Sequence, residues 1–432
     1  HSIIMLKIQN TLIITQKNIT QKLIDDIQMS DILNIIAPFA TSVEDEAFYK
    51  QTKIRYLYAP MLTEVGVKSF WSCKNIRYVV GKNLKIIGAN AFECDYNLQK
   101  IEIQNVETLN QNILNYCGLQ SMVCNCSSFS NMYYVIEWNE QLEQLDLPNI
   151  LELDAAILHG CDNIKQIRMP KLQKLIGELP EHIQITADSS EFLKKNRQIV
   201  DKLDPEFRFR GLNRNILQQF GTNPDEATEH KLDGTLYCKE FSGQQITGIR
   251  AIVMMNQPVI SEKSFIQNYM LKFVYAPNTH IIKTSAFSEC YYLSRFCSNS
   301  LHIIEDGAFY LCTALSLIDL SKVTEIGDDV FNQCVSLTQL NLTSLQRPLS
   351  SNCFGDNCLG LMQVVVKKDE KDLHEKALEN YKFVKIVDES EAVRFQEVFI
   401  DGFRERKKMM KLLRNVQRSN VLIRKVVEFL NN

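Results

Sequence analysis

Thirteen cysteines and seven histidines are the residues of this 432-residue chain with the most chemistry to offer. A thiolate becomes a nucleophile beside a histidine, and Cys or His pairs at fixed spacing hold zinc tetrahedrally. Both uses leave marks in a sequence. Cys124-Asn125-Cys126 is the one CxC, and it has no second pair and no histidine nearby. His1, His159, His182, His230, His280, His302 and His374 show no helical metal spacing, and neither a phosphate-binding glycine loop nor a nucleophile elbow is present. The expectation is a non-enzymatic chain with no catalytic residue, no metal and no cofactor.

What positions the cysteines is a repeat. Phe48, Phe70, Phe92, Leu114, Ile136 and Leu158 stand 22 residues apart, and so do Phe265, Phe287, Phe309, Phe331 and Cys353. Cys73, Cys161, Cys290, Cys312 and Cys334 each follow their anchor by three residues, with Cys94, Cys117 and Cys358 within two places of that slot. Stacked coils would put these thiols in one file, where a small, soft side chain fits a crowded turn. A coil spacing of about 4.7 Å would strain a disulfide between neighbours, so packing is the expected role. Around each anchor the apolar positions recur as well, Val65, Ile76 and Val79 in one coil and Ile304, Leu315 and Ile318 in another. Near Leu114 the phase slips by one, since Leu119, Met122 and Cys124 fall a residue early.

The strand phrases "LSLIDL", "LTQLNL", "LQKIEI" and "LEQLDL" in a 22-residue unit are a leucine-rich repeat signature. The form Ile-x-x-x-Ala-Phe-x-x-Cys-x-x-Leu-x-x-Ile-x-Leu, carried by Ile304, Ala308, Phe309, Cys312, Leu315, Ile318 and Leu320 and echoed by Ile87, Ala91, Phe92, Leu98, Ile101 and Ile103, resembles the BspA-like class. That resemblance implies surface proteins of anaerobic bacteria and parasitic protists, and it says little about a partner. The expected fold is an α/β repeat: a leucine-rich repeat solenoid with a parallel β-sheet, in two arrays with capping segments, plus a C-terminal α-helix. One coil cannot close its own core, so neighbours must share it.

A duplication lies above the repeat. "IRYLYAP" from Ile54 returns as "LKFVYAP" from Leu271, and "KIQNTLI" from Lys7 parallels "KLDGTLY" from Lys231. The domains expected are residues 5–209, a first module with both caps; 210–230, a linker; 231–390, a second capped module; and 391–432, a basic amphipathic tail. Each module should open on a hairpin-like cap and close on a charged amphipathic segment, which after the second array puts Leu373, Ala377, Tyr381 and Val384 on one side. The linker would let two lobes sit at an angle, or the two arrays would form one continuous horseshoe.

The formal charge of −3, with 45% hydrophobic and 23% charged residues, is that of an ordinary soluble protein. Interspersed acids argue against a nucleic-acid stripe. No apolar run reaches the roughly 18 residues of a membrane span, and "IIML" from Ile3 is too short for an export-signal core. Evenly placed reduced thiols point to the cytoplasm, and the cell surface is the alternative if an export sequence precedes these residues. The exposed strand positions form the expected protein-binding face: Arg55, Tyr56, Tyr58, Arg77 and Tyr78 in the first module, Lys272, Phe273, Tyr275 and Arg295 in the second. Tyr and Arg dominate binding hot spots; packing of Tyr56, Tyr58, Phe273 and Tyr275 under the N-terminal cap is the competing reading. In the tail, Ala392 to Asn432, ten Lys or Arg face four acids, and Phe399, Met409, Leu413, Val416 and Ile423 recur near 3.5-residue spacing. Such a helix serves self-association as a coiled-coil seam, a protein partner or an anionic membrane, or folds back on the solenoid. The function expected is a protein-interaction scaffold of unidentified partner; the alternative is a surface adhesin.

Overall fold

The computed structural model describes residues 5–8, 10–27, 29–129, 134–180, 183–186, 229–232, 234–238, 240–241, 249–355, 358, 360–375, 378–379, 381 and 384–392. Each repeat makes one turn of a solenoid and contributes two strand columns. One column holds Tyr56–Tyr58, Tyr78–Val80 and Lys100–Ile101; the other holds Ser42–Val43, Glu64–Val65 and Ile86–Ile87. All of these pair in parallel, with Tyr56 opposite Tyr78 and Tyr78 opposite Lys100. In the second module Phe273, Arg295 and Leu317 fall in one cross-strand row. The register step therefore equals the sequence period. The second column is a finding beyond the sequence reading, which named only one parallel β-sheet.

The anchors explain why the coils stack in this register. Phe48, Phe70 and Phe92 lie ring on ring at 4.9 and 5.1 Å, and Phe265, Phe287 and Phe309 at 5.0 and 5.4 Å. All are buried, and a buried aromatic of this size contributes about 2–3 kcal/mol by burial alone. Two apolar clusters result, one running from Leu12 to Ile185 and one from Leu236 to Leu378. Around the anchor the chain turns tightly through left-handed residues two before and two after it, such as Lys68 (φ 52°) and Ser72 (φ 58°). A non-glycine there costs about 1–2 kcal/mol. Coil-to-coil bonds such as Phe48 N–H to Ser69 O (2.7 Å) and Lys50 N–H to Trp71 O (2.9 Å) hold it in place. The one-residue slip also has a structural counterpart. Ser121–Val123 pairs with Gln144–Asp146 at a step of 23, and the sheet divides between Lys100–Ile101 and Ser121–Val123.

The cysteine file is a ladder of weak hydrogen bonds. Cys73 Sγ donates to Phe48 O (3.0 Å), Cys117 to Phe92 O (3.1 Å), Cys161 to Ile136 O (3.2 Å), Cys290 to Phe265 O (2.9 Å), Cys312 to Phe287 O (3.1 Å) and Cys334 to Phe309 O (3.1 Å). Each thiol reaches the anchor carbonyl of the preceding coil. Burial pushes the Cys290 and Cys161 thiols up to about 12, which suppresses the reactive thiolate. Eleven of the thirteen thiols are buried, and Cys94 and Cys297 are partly exposed. A thiol-reactive dye should therefore label at most those two rapidly in the native protein, and the rest only in denaturant. Rapid labelling of five or more would mean that the file is not packed as described.

Both modules open on an antiparallel hairpin, Met5–Ile8 with Thr11–Ile14 and Glu229–Leu232 with Thr235–Cys238, whose second strand passes into the parallel column. These hairpins cover edges that would otherwise stay unpaired. The second module closes with a short helix, Lys371–Glu375, and a strand, Lys385–Val387, laid parallel to Gln363–Val365. One detail departs from expectation: Leu373 is exposed, and His374 is buried instead, its Nδ1 accepting from Leu349 N–H (3.4 Å). Residues 187–228, where the first closing cap and most of the linker are expected, lie outside the described residues. So does the tail from 393, with Phe399, Met409, Leu413, Val416 and Ile423.

Candidate partner-binding surface

The turn that follows each anchor carries polar side chains, and these join the two arrays. Asn75 Nδ2 donates to Val335 O (2.6 Å), Asn97 Nδ2 to Thr313 O (3.4 Å), Tyr292 OH to Cys117 O (3.2 Å) and Gln141 Nε2 to Tyr269 O (2.5 Å). As the first partner moves one coil up the chain, the second moves one coil down. The arrays therefore lie side by side and antiparallel, rather than at a hinge angle or in one horseshoe. At one end Arg250 Nη2 meets Glu143 Oε1 at 2.9 Å, both side chains 3% exposed, while Lys165 Nζ reaches the same oxygen at 2.7 Å. Gln141 Oε1 accepts from Arg250 Nη1 (3.2 Å). Burial, and then the like charge of Arg250, push the Lys272 amine well below its usual range.

This seam changes the expected sheet face. Arg55 is buried and donates from Nη2 to Ser336 O (2.9 Å), so a residue read as exposed is a joint between the arrays. Tyr56 and Tyr58 are 7% and 1% exposed, between Asn34 and Tyr78 and between Ile36 and Val80 on the neighbouring strands, so they do not form the exposed patch expected of them. Arg77, Tyr78, Lys272, Phe273 and Tyr275 are half-buried, and Tyr78 OH bonds to Gln99 Oε1 (3.1 Å). Arg295 is exposed, next to Leu317, which is 53% exposed. Of the expected face Arg295 is thus the exposed residue, and it stands in one row between the half-buried Phe273 and the exposed Leu317 of the second module.

A second surface was missed by the sequence reading. Tyr269 stacks on Tyr291 (5.4 Å, 5°), and Tyr291 faces Tyr96 across the seam (6.4 Å). Tyr96 meets Tyr116 edge-on (6.5 Å), Tyr116 stacks on Trp138 (5.8 Å, 2°), and Trp138 lies 4.8 Å from His159. Six rings form one run over both arrays. Trp138 lies flat over Gly160, where a Cβ would come within 2.6 Å of its ring, so glycine is required below it. Carboxylates flank the run. Burial, and then the like charge of Asp162, push Glu140 up to about 7; burial and then Glu289 push Tyr291 up to about 12. Next to Trp138 and His159 opens a cleft of about 590 Å³ lined by Glu137, Asp154, Asp162 and Glu178, with no Lys or Arg among the described residues of its wall. The signal available in the sequence was the recurrence of aromatics at matched turn positions, Tyr116 with Trp138 and Tyr269 with Tyr291, each pair one repeat apart.

No group of three or more His, Cys, Asp or Glu among the described residues has the geometry of a metal site, and no helix among them is long and apolar enough to cross a membrane. Six copies of the model described as "BspA type Leucine rich repeat region" match residues 27–135 and 258–385. Solved structures with similar coils include a leucine-rich repeat protein of Bacteroides ovatus, 16% identical over 78% of this chain and 91% of that one (TM-score 0.31). A leucine-rich cell surface protein of Faecalibacterium prausnitzii is 17% identical over 85% and 94% (TM-score 0.28), and the pneumococcal vaccine antigen PcpA is 15% identical over 82% and 79% (TM-score 0.27). No curated protein matches the chain significantly.

Proposed function

The chain belongs to the BspA-type leucine-rich repeat family, and from that premise we propose that it is a non-enzymatic scaffold that binds a protein partner on its strand face. The observation that carries this reading is the row Phe273, Arg295 and Leu317. It puts an aromatic, a guanidinium and a fully apolar side chain side by side in adjacent coils, and Leu317 is 53% exposed. A rigid solenoid loses little conformational entropy on presenting such a row, which favours binding. The test is affinity capture with quantitative mass spectrometry on the native chain and on an Arg295→Glu/Leu317→Asp variant. A partner depleted tenfold or more with the variant supports the reading; the same partners retained on both would exclude this row.

Adhesion at a cell surface through the same row is the second reading, favoured by the family, whose members resemble surface proteins. Protease treatment of intact cells separates the settings: loss of the chain places it outside, and survival places it in the cytoplasm.

A further inference from the structure

We propose that the aromatic run from Tyr269 to His159 is a second docking track, for an arginine-bearing cationic peptide segment of a partner protein. The proposal rests on the scaffold reading above but on a different surface. Trp138 is 37% and Tyr116 38% exposed, and accessible aromatic rings attract guanidinium groups. The carboxylates alongside point to the sign of the ligand. Among the described residues Glu140, Asp162 and Glu289 form no ion pair, whereas other acids nearby in the fold, Glu143 and Asp146, each hold a Lys or Arg. Glu289 accepts only neutral donors, Gln267 Nε2 (3.1 Å) and Tyr291 OH (3.5 Å). The protein already uses this chemistry within its own turns. Lys50 Nζ sits 5.1 Å from the Tyr49 ring and 5.3 Å from Trp71, and Lys74 Nζ sits 6.0 Å from Tyr96 at the middle of the run. Beyond Tyr96 the rings and acids continue through Tyr116 and Trp138 with no such internal cation among the described residues, and the acidic cleft adjoins their far end.

Arginine fits this track better than lysine because its plane stacks on a ring while its N–H edge reaches a carboxylate. The experiment uses the full chain and three fluorescent probes: an octapeptide of alternating Arg and Gly, its Lys counterpart, and a neutral hexasaccharide, read by anisotropy and by tryptophan quenching. The arginine peptide should bind at least fivefold more tightly than the lysine peptide and quench tryptophan emission. Trp138→Leu and Glu140→Gln should each weaken it about tenfold, the effect of roughly 1.4 kcal/mol. Arg295→Glu, on the strand face, should leave it unchanged. Failure of the scaffold reading would therefore show in partner capture without altering this assay. Arginine and lysine peptides bound equally, or affinity indifferent to Trp138→Leu, would overturn the proposal. So would a hexasaccharide that binds with the same dependence on Trp138, which would make the run a sugar platform.

Discussion

Glu143→Gln is expected to cost about 3–5 kcal/mol of stability, because it leaves Arg250 buried in the seam without its carboxylate. The substitution is nearly isosteric, so the loss is electrostatic and not a cavity effect. Two cations converge on this carboxylate, Arg250 at 2.9 Å and Lys165 at 2.7 Å, and the Lys272 amine acts on it through space. Lys165 is 41% exposed and can turn to water, but Arg250 is 3% exposed and cannot. Urea denaturation followed by circular dichroism checks the magnitude, and a double variant locates its origin. Arg250→Met together with Glu143→Gln should cost less than the sum of the two single changes, since the second removes the charge that the first strands. Small-angle scattering of Glu143→Gln should show an expanded particle if the arrays part. A loss under about 1 kcal/mol with an unchanged radius would show that the pair does not hold the seam.

The solenoid was legible because its determinants are local and repeat. Phe70 and Val79 each face their counterparts one period away, so one coil read correctly fixes the rest. The opening hairpins were legible in the same way, from turn residues between apolar runs. The seam was not legible, and the reason is visible in Asn75 and Asn97. Their amides bond to the preceding coil at Thr52 O (2.7 Å) and Lys74 O (2.8 Å) and also to the opposite array. In sequence such a residue looks like an ordinary turn residue, because its local role already accounts for it. Arg55 and Lys272 were misplaced for a related reason. Strand alternation tells which side chains leave the core, but it carries no information about what packs against the flank they reach. The aromatic run combines both cases: its stacked pairs follow the period, whereas the contact of Tyr291 with Tyr96 exists only because the arrays run antiparallel.

Asp95 is expected to make stability fall as pH rises, and Asp95→Asn to abolish that fall. The residue occupies the cysteine slot of its coil, three after Phe92, between Cys73 and Cys117 in the file. Every neighbour in the slot donates to an anchor carbonyl one coil back, and the slot is not restricted to thiols, since Asn139 Nδ2 donates to Leu114 O (2.7 Å) in the same way. For Asp95 the corresponding carbonyl is that of Phe70. An ionised carboxylate has no proton to donate, and neither Asp95 oxygen has a hydrogen-bond partner although the residue is fully buried. Burial raises its pKa well above the carboxylate range. The protonated acid, by contrast, can complete the ladder. The folded state then holds a proton that the unfolded state releases near pH 3.9, so stability is fully present below that pH and is lost progressively as pH rises toward the raised folded value. At pH 8, Asp95→Asn and Asp95→Cys should each gain about 1–3 kcal/mol, the cost of a buried unsatisfied group. Near pH 4 the variants and the parent should converge. Asp95→Leu, which removes the charge without supplying a donor, should fall between them. Melting temperatures across pH 4–8 decide the matter: a difference between Asp95→Asn and the parent that stays constant with pH, or that shrinks as pH rises, would mean that Asp95 is already ionised and accommodated in the fold.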